Sequence, residues 1–170
     1  MEKECNNSVC IVKKPDKIQG NVIVMKDRLK MRKLKTFEDK LNQNEKLIWS
    51  YMIIKINKYE IRQQRRMILT NQSLMVFDEG VFLANFKALF TGTSLKRKVN
   101  IKHIDSIIYS EISNEFILVL SKDYDFRLTS VKRDDFIWYL LKIREHRCSK
   151  SVAPVSSLKF YVVDKAELIG

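Results

Sequence analysis

The sequence has little of three residue types that mark particular classes of site. Its 170 residues include four glycines and two prolines, and neither GxGxxG nor GxxxxGK occurs. A glycine-rich phosphate loop and a long low-complexity linker are therefore excluded. The three cysteines, Cys5, Cys10 and Cys148, are too few for a disulfide framework and predict free thiols in a reducing compartment. Cys5 and Cys10 match no zinc spacing with His103 and His146, so we expect no metal and no cofactor.

Long apolar runs are also absent. No stretch approaches the roughly 18 apolar residues that a membrane span requires. Met1 and Glu2 exclude the N-terminal glycine needed for myristoylation, and the acidic residues Glu2 and Glu4 disfavour a presequence. We therefore expect a cytoplasmic protein that associates peripherally with a membrane or with the cytoskeleton.

The charge of the chain is strongly one-sided. Thirty-two Lys and Arg against 20 Asp and Glu give a formal net charge of +12, which attracts anions such as phosphate groups. The alternative is that lysine merely keeps an apolar chain soluble. A nucleic-acid partner is disfavoured because the aromatic residues fall on predicted core faces and no nucleic-acid-binding motif is present. Catalysis is disfavoured because neither histidine has a nucleophile or carboxylate constellation, so we expect no enzyme.

Composition along the chain divides it into three parts. We expect a basic N-terminal arm at residues 1–35, one domain at residues 36–147 and a C-terminal extension at residues 148–170. The run KDRLKMRKLK at residues 26–35 is either a second anchor for an anionic surface or a solvated leader. The strand-like run at residues 158–163 either pairs with a sheet edge or begins a further domain.

Hydrophobic periodicity predicts a mainly β domain with a closing helix. Residues 54–77 open it with a hairpin, a Thr-Asn-Gln-Ser turn and an apolar strand. The predicted strands are residues 47–56, 61–70, 73–77, 97–101, 104–112, 115–121 and 124–129. Short helices are expected at residues 36–41, capped by Thr36, and within residues 78–94, where the helix ends near Gly92. Val22 to Val24 are an apolar patch that could add a strand to a sheet edge. Ser130 caps the closing helix, whose inner stripe is Phe136, Leu140 and Ile143.

Several cations cluster where the first two strands meet. They are Lys55, Lys58, Arg62, Arg65 and Arg66. Such a cluster either binds an acidic partner or is a sheet edge kept soluble by charge.

Three stretches together resemble a pleckstrin-homology-like domain, and most closely the tail-homology domain of class I myosins. They are RRMILTNQSLMVFD at residues 65–78, KRKVNIKHIDSI at residues 96–107 and EFILVLSKDYDFRLTSVKRDDFIWYL at residues 115–140. The resemblance covers residues 45–146. It implies an α+β, mainly β fold in which a bent seven-stranded sheet or barrel is capped by a C-terminal helix.

The resemblance also implies a function and a site. Domains of this kind bind inositol phosphates at the open end of the barrel, and the chief cations correspond to Lys55 and Arg65. Gln63 departs from the family pattern at a second basic position, and Lys58 and Arg62 replace its charge from the loop. The strand that carries Lys96, Arg97 and Lys98 adds to the same face.

Two functions follow from these observations. The first is a non-catalytic module that binds anionic phospholipid or phosphoinositide headgroups and targets to membrane. The alternative is a protein-interaction or structural subunit of a larger cytoskeletal or ciliary assembly.

Overall fold

Strands dominate the computed structural model, which describes residues 3–4, 23, 25–78, 94–148 and 158–164. Within these residues there are two α-helices, α1 (Lys35–Glu38) and α2 (Arg133–Cys148), and two 3-10 turns, Met31–Lys33 and Ile101–His103. The strands are β1 (Lys3–Glu4), β2 (Lys26–Asp27), β3 (Leu47–Ile56), β4 (Arg62–Thr70), β5 (Ser73–Asp78), β6 (Leu95–Asn100), β7 (Ile104–Ser110), β8 (Glu115–Leu120), β9 (Phe126–Thr129) and β10 (Lys159–Val163).

The seven strands expected from the sequence are β3 to β9, with ends that differ from the predicted ones by at most three residues. Their spatial order is β7-β8-β9-β3-β4-β5-β6, in an open sheet whose centre is β3. The inner stripe of α2, Phe136, Leu140 and Ile143, packs into the main core beside Trp49. The predicted α+β, mainly β, pleckstrin-homology-like fold with a C-terminal helix is therefore confirmed.

The sheet continues beyond β7. Strand β10 lies parallel to β7, with Phe160 opposite Ile107, and β1 pairs antiparallel with β10. Leu158 is buried in the main core just before β10 begins. Of the two alternatives for residues 158–163, the structure thus shows pairing with a sheet edge.

The N-terminal segment, here residues 25–41, covers the outer face of β4 and β5. Strand β2 pairs in parallel with β3, and Asp27 accepts hydrogen bonds from the Ser50 hydroxyl (2.7 Å) and the Met31 amide (3.0 Å). Met31 and Phe37 are completely buried. They form a second core with Leu47, Ile68, Met75 and Phe77. The basic run is thus packed onto the sheet, whereas the division into arm, domain and extension stays a prediction.

Some local predictions differ from the structure. Thr36 does not cap α1: the helix begins one residue earlier, at Lys35, and Leu34 occupies the N-cap position without a side-chain hydrogen bond. Ser130 does accept a hydrogen bond from the Lys132 amide (3.1 Å) ahead of α2. The helix expected within residues 78–94 lies outside the described residues, apart from residues 78 and 94 themselves. Val22 and Val24 also lie outside the described residues.

A buried carboxylate joins β4, β5 and β6 to the residues just before β3. The side chain of Glu45 is completely shielded and accepts hydrogen bonds from Lys98 Nζ (2.7 Å), Thr70 Oγ1 (2.6 Å), Ser73 Oγ and the Asn42 amide (2.8 Å). Burial by itself raises the pKa of Glu45, but these donors outweigh it and hold the pKa below its ordinary value. The ionised form is therefore the one that stabilises the fold.

We predict that Glu45→Gln lowers the free energy of unfolding by about 1–3 kcal/mol at neutral pH, because the amide cannot replace the charged acceptor. The folded-state pKa of Glu45 lies below the unfolded value of about 4.3. The stabilisation is consequently present above that value and is lost as pH falls through the folded pKa. Urea unfolding of both proteins at neutral pH and in acid should show the difference shrinking in acid.

The matched control is Glu38→Gln, because Glu38 is exposed at the end of α1. We expect this variant to stay within about 0.5 kcal/mol of the parent at both pH values. A difference between Glu45→Gln and the parent that is the same at both pH values would contradict the role given to the charge.

Candidate functional site

A turn, a loop and the end of β5 meet at one end of the sheet. Ile56 pairs with Arg127, so the turn at residues 57–61 lies beside the loop at residues 121–125 that precedes β9. Arg65 pairs with Asp78, the last residue of β5, so β5 ends beside the same hairpin. We call this the open end, because residues 58–61 and 121–125 are all exposed.

The turn at residues 57–61 is held by one side chain. Asn57 Oδ1 accepts hydrogen bonds from the amides of Tyr59 (2.9 Å) and Ile61 (3.0 Å), and the Asn57 amide donates to the Ile61 carbonyl. Glu60 takes a left-handed conformation with φ of 61°. Its carboxylate lies 2.6 Å from Arg127 Nη1, which draws the acidic group of the turn towards β9. The turn therefore presents its basic and apolar side chains outward.

Strand alternation sets the polar rim of the open end. Ile53, Met67 and Val99 all point into the main core. Side chains two residues away along a strand face the same side. Lys55, Gln63, Arg65 and Arg97 therefore continue the inner face of the sheet where its apolar residues stop.

Arg97 and Lys55 share one pair of aromatic rings. The guanidinium of Arg97 lies 3.5 Å from the ring centroid of Tyr124 and 4.1 Å from that of Phe126. Lys55 Nζ lies 5.2 Å and 5.7 Å from the same two centroids. Arg97 also donates to Asp123 Oδ2 from Nε (2.8 Å) and to the Tyr124 carbonyl from Nη2 (2.6 Å). This contact holds the pKa of Asp123 below its ordinary value.

Asp78 holds two further cations. Its Oδ2 lies 2.8 Å from Lys96 Nζ and accepts a hydrogen bond from Ser94 Oγ (2.8 Å), and its Oδ1 lies 3.6 Å from Arg65 Nε. Arg65 Nη2 also donates to Gln63 Oε1 (2.9 Å). Burial raises the pKa of Asp78, but the hydrogen bonds from Lys96 and Ser94 and the charge of Arg65 outweigh it and lower the pKa. The carboxylate is therefore ionised at neutral pH.

The remaining two cations are on or beside the turn. Lys58 and Arg62 are exposed, and Lys58 Nζ lies 5.0 Å from the ring centroid of Tyr59. Within the described part of the chain, neither cation has a carboxylate oxygen within 4.0 Å. Lys55 also lacks such a partner there.

The structure thus brings Lys55, Lys58, Arg62, Arg65, Lys96 and Arg97 to one end, and we call them the open-end cations. Lys98 does not join them, contrary to the sequence prediction, because alternation along β6 turns it to the outer face, where it binds Glu45. Sequence reasoning missed Asp78, Asp123 and Tyr124 as members of this site. The sequence offers one indication of them: Asp78 ends a strand, and Asp123 and Tyr124 come just before one, and both strands pair with strands that carry cations.

The described residues contain neither a cluster of metal ligands nor a membrane-spanning helix. Among residues 3–4, 23, 25–78, 94–148 and 158–164, no three His, Cys, Asp or Glu side chains gather in a way that could hold a metal ion. In the same ranges, no helix has the length and apolar character needed to cross a membrane.

Solved structures with similar folds include the N-terminal PH domain of human ARAP2, with a TM-score of 0.43 and 19% identity over 66% of this chain and 90% of that domain. A chain from the complex of human RhoA, its inhibitor and the DH/PH domain of human ARHGEF11 has a TM-score of 0.46 and 10% sequence identity over 59% of this chain. This chain spans only 30% of that one. The C-terminal domain of an unknown protein from Leishmania infantum has a TM-score of 0.49 and 16% sequence identity, over 68% of this chain and 97% of that domain.

No curated protein matches this chain. A family model does: the unconventional myosin tail, described as actin- and lipid-binding, matches residues 6–162. This match covers most of the sequence and includes the three stretches that carried the resemblance. The chain therefore belongs to the family of unconventional myosin tail domains.

Proposed function

We propose that this protein is a non-catalytic, cytoplasmic module that binds anionic phospholipid headgroups, phosphoinositides among them, and thereby attaches peripherally to membrane. The single observation that carries the proposal is the meeting of six cations at the open end, on β3, β4 and β6 and on the turn at residues 57–61. The family description, which includes lipid binding, supports it. A basic end of this kind attracts the negative surface of a cytoplasmic leaflet.

The charges at the open end set how tightly such a surface is held. Lys55, Lys58 and Arg62 have no carboxylate partner in the described ranges, whereas Arg65, Lys96 and Arg97 each have one. A cation near an anionic membrane contributes about 1 kcal/mol. The partnered cations contribute less, because a phosphate must first displace Asp78 or Asp123. We therefore expect reversible, salt-sensitive binding with limited selectivity among headgroups.

One further donor is available to a phosphate. Arg97 Nη1 is buried and has no hydrogen-bond partner among the residues that the structure describes. A buried donor without an acceptor is unfavourable, so an anionic oxygen that reaches it gains a charge-assisted hydrogen bond. This supports Arg97 as a ligand residue despite its bond to Asp123.

We predict that the double variant Lys58→Glu/Arg62→Glu binds vesicles containing phosphatidylserine or a phosphoinositide at least about tenfold more weakly than the parent. Both side chains are exposed and neither is needed for packing, so the fold should be unaffected. Co-sedimentation with vesicles at low and at physiological salt measures the change.

The matched control is Lys46→Glu/Lys132→Glu, which alters the net charge equally at the start of β3 and after β9, away from the open end. Control binding should fall far less than that of the open-end variant. Equal losses in both variants would show that net charge alone drives association, and no binding of the parent at low salt would refute the proposed function.

A gain of binding tests the role of the carboxylates. We predict that Asp78→Asn strengthens vesicle binding about fivefold, because it frees Arg65 and Lys96 for phosphate while the amide can still accept a hydrogen bond from Ser94. Vesicle titration followed by co-sedimentation measures the affinity.

Asp134→Asn is the control for this gain, because it removes one negative charge from the start of α2, where Asp134 contacts Arg133. This variant should bind as the parent does. Unchanged or weaker binding of Asp78→Asn would mean that the contact of Asp78 with Arg65 and Lys96 orders the site instead of competing with the ligand.

We infer a second candidate function, contact with an acidic protein surface such as an actin filament, which the family description also names. The supporting observation is a set of exposed cations on the N-terminal segment with no carboxylate within 4.0 Å in the described ranges: Lys30, Arg32, Lys33, Lys35 and Lys40. They lie outside the second core and not at the open end. This function would make the chain a link between membrane and cytoskeleton.

We expect Arg32→Glu/Lys33→Glu to reduce co-sedimentation with actin filaments at least about fivefold, because two attractive charges become repulsive. Lys58→Glu/Arg62→Glu is the matched control and should leave actin binding nearly unchanged. Filament binding lost equally in both variants, or absent from the parent, would count against this candidate and leave the lipid proposal standing.

A further inference from the structure

Large apolar side chains are exposed at only two places in the described part of the chain. Tyr59, Ile61 and Tyr124 are 69%, 54% and 62% exposed, and all three belong to connections of the open end. Ile112 and Val131 are 64% and 71% exposed and belong to the turn at residues 111–114 and to the residues before α2. The cations beside the first group, Lys58 and Arg62, are exposed, whereas Lys132 and Arg133, which follow Val131, are half-buried.

The backbone holds Tyr59 and Ile61 outward. Both of their amides bind the side chain of Asn57, so the turn is formed before any ligand arrives. The carboxylate of Glu60, between them, is drawn towards Arg127 on β9. Apolar and basic groups therefore occupy the tip without an intervening free acid.

Tyr124 is held against two cations. Its centroid lies 3.5 Å from the Arg97 guanidinium, and Lys55 approaches the same ring to 5.2 Å. More than half of the side chain is nevertheless exposed. An aromatic ring fixed among cations suits the interface of a bilayer, where apolar ring and charged headgroup lie at the same depth.

We propose that Tyr59, Ile61 and Tyr124 form a wedge that enters the interfacial region of the bilayer while the open-end cations bind its headgroups. This inference rests on the proposed lipid-binding function and specifies that the ligand is the lipid surface. A soluble inositol phosphate offers the same phosphate chemistry but leaves the three apolar side chains in water. Only a membrane satisfies both groups at once.

Fluorescence can report insertion directly. The two native tryptophans, Trp49 and Trp138, are 0% and 7% exposed, so a new tryptophan at the tip would be the exposed one among the described residues. Ile61→Trp in the full chain should shift its emission to the blue on anionic vesicles and be quenched by lipids brominated on the acyl chain. Ile112→Trp, at a similarly exposed position away from the open end, should show neither effect.

A second measurement tests the contribution to affinity. Tyr59→Ser/Ile61→Ser should lower vesicle binding at least about tenfold at physiological salt, because the lost burial of two apolar side chains is not screened by ions. Ile112→Ser/Val131→Ser is the matched control and should bind as the parent does. Binding of soluble inositol hexakisphosphate should be equal in all three proteins.

The outcomes separate this inference from the function on which it rests. Parent protein that fails to bind anionic vesicles at low salt refutes the proposed function itself. A different outcome overturns the wedge alone. In it, the parent binds anionic vesicles, the fluorescence of Ile61→Trp is not quenched, and Tyr59→Ser/Ile61→Ser binds vesicles as the parent does. Equal losses in the Ile112→Ser/Val131→Ser control, or parallel loss of inositol hexakisphosphate binding, also overturn it.

Discussion

Burial of β4 and β5 on both faces is the constraint on which the rest of this structure depends. Residues 67–70 and 73–77 are all buried, because alternate side chains enter the main core and the second core beneath the N-terminal segment. A charge in the middle of these strands would have to lose its hydration without a partner, which costs several kcal/mol. Polar residues are thereby confined to the strand ends, and the cations of β4 collect at the open end.

The same constraint explains why the open end contains carboxylates as well as cations. Arg65 and Arg97 lie on the inner face of the sheet, each two residues from an apolar side chain of the main core. Their side chains are only about 21% and 9% exposed. Cations in such partly shielded positions are stabilised by Asp78 and Asp123 on the neighbouring chain segments. These acids hold the guanidinium groups in place and compete with any phosphate. In the proposed lipid site, order is therefore gained at the expense of affinity.

Sequence periodicity predicted much of this fold because the relevant signals are local. The seven strands and the inner stripe of α2 each follow from apolar spacing within a few residues, whereas this spacing left open whether β10 pairs with the sheet. The packing of the N-terminal segment could not be predicted in this way, because Met31 is surrounded by basic residues and its burial depends on Phe37 and on the outer face of a distant sheet. Lys98 was assigned to the wrong face for another reason: alternation with the buried Val99 was not applied along β6, and it turns Lys98 towards Glu45, 53 residues away.

Charge alone cannot orient this molecule on a membrane. The open-end cations and the cations of the N-terminal segment both attract an anionic surface, and at physiological ionic strength neither attraction extends much beyond about 8 Å. Two basic surfaces of similar strength would hold the protein in more than one orientation. Apolar contacts act only at van der Waals distance. Within the described residues, the open end is where exposed apolar side chains lie beside exposed cations. If the wedge enters the bilayer, it selects one of these orientations and leaves the N-terminal segment available to a protein partner.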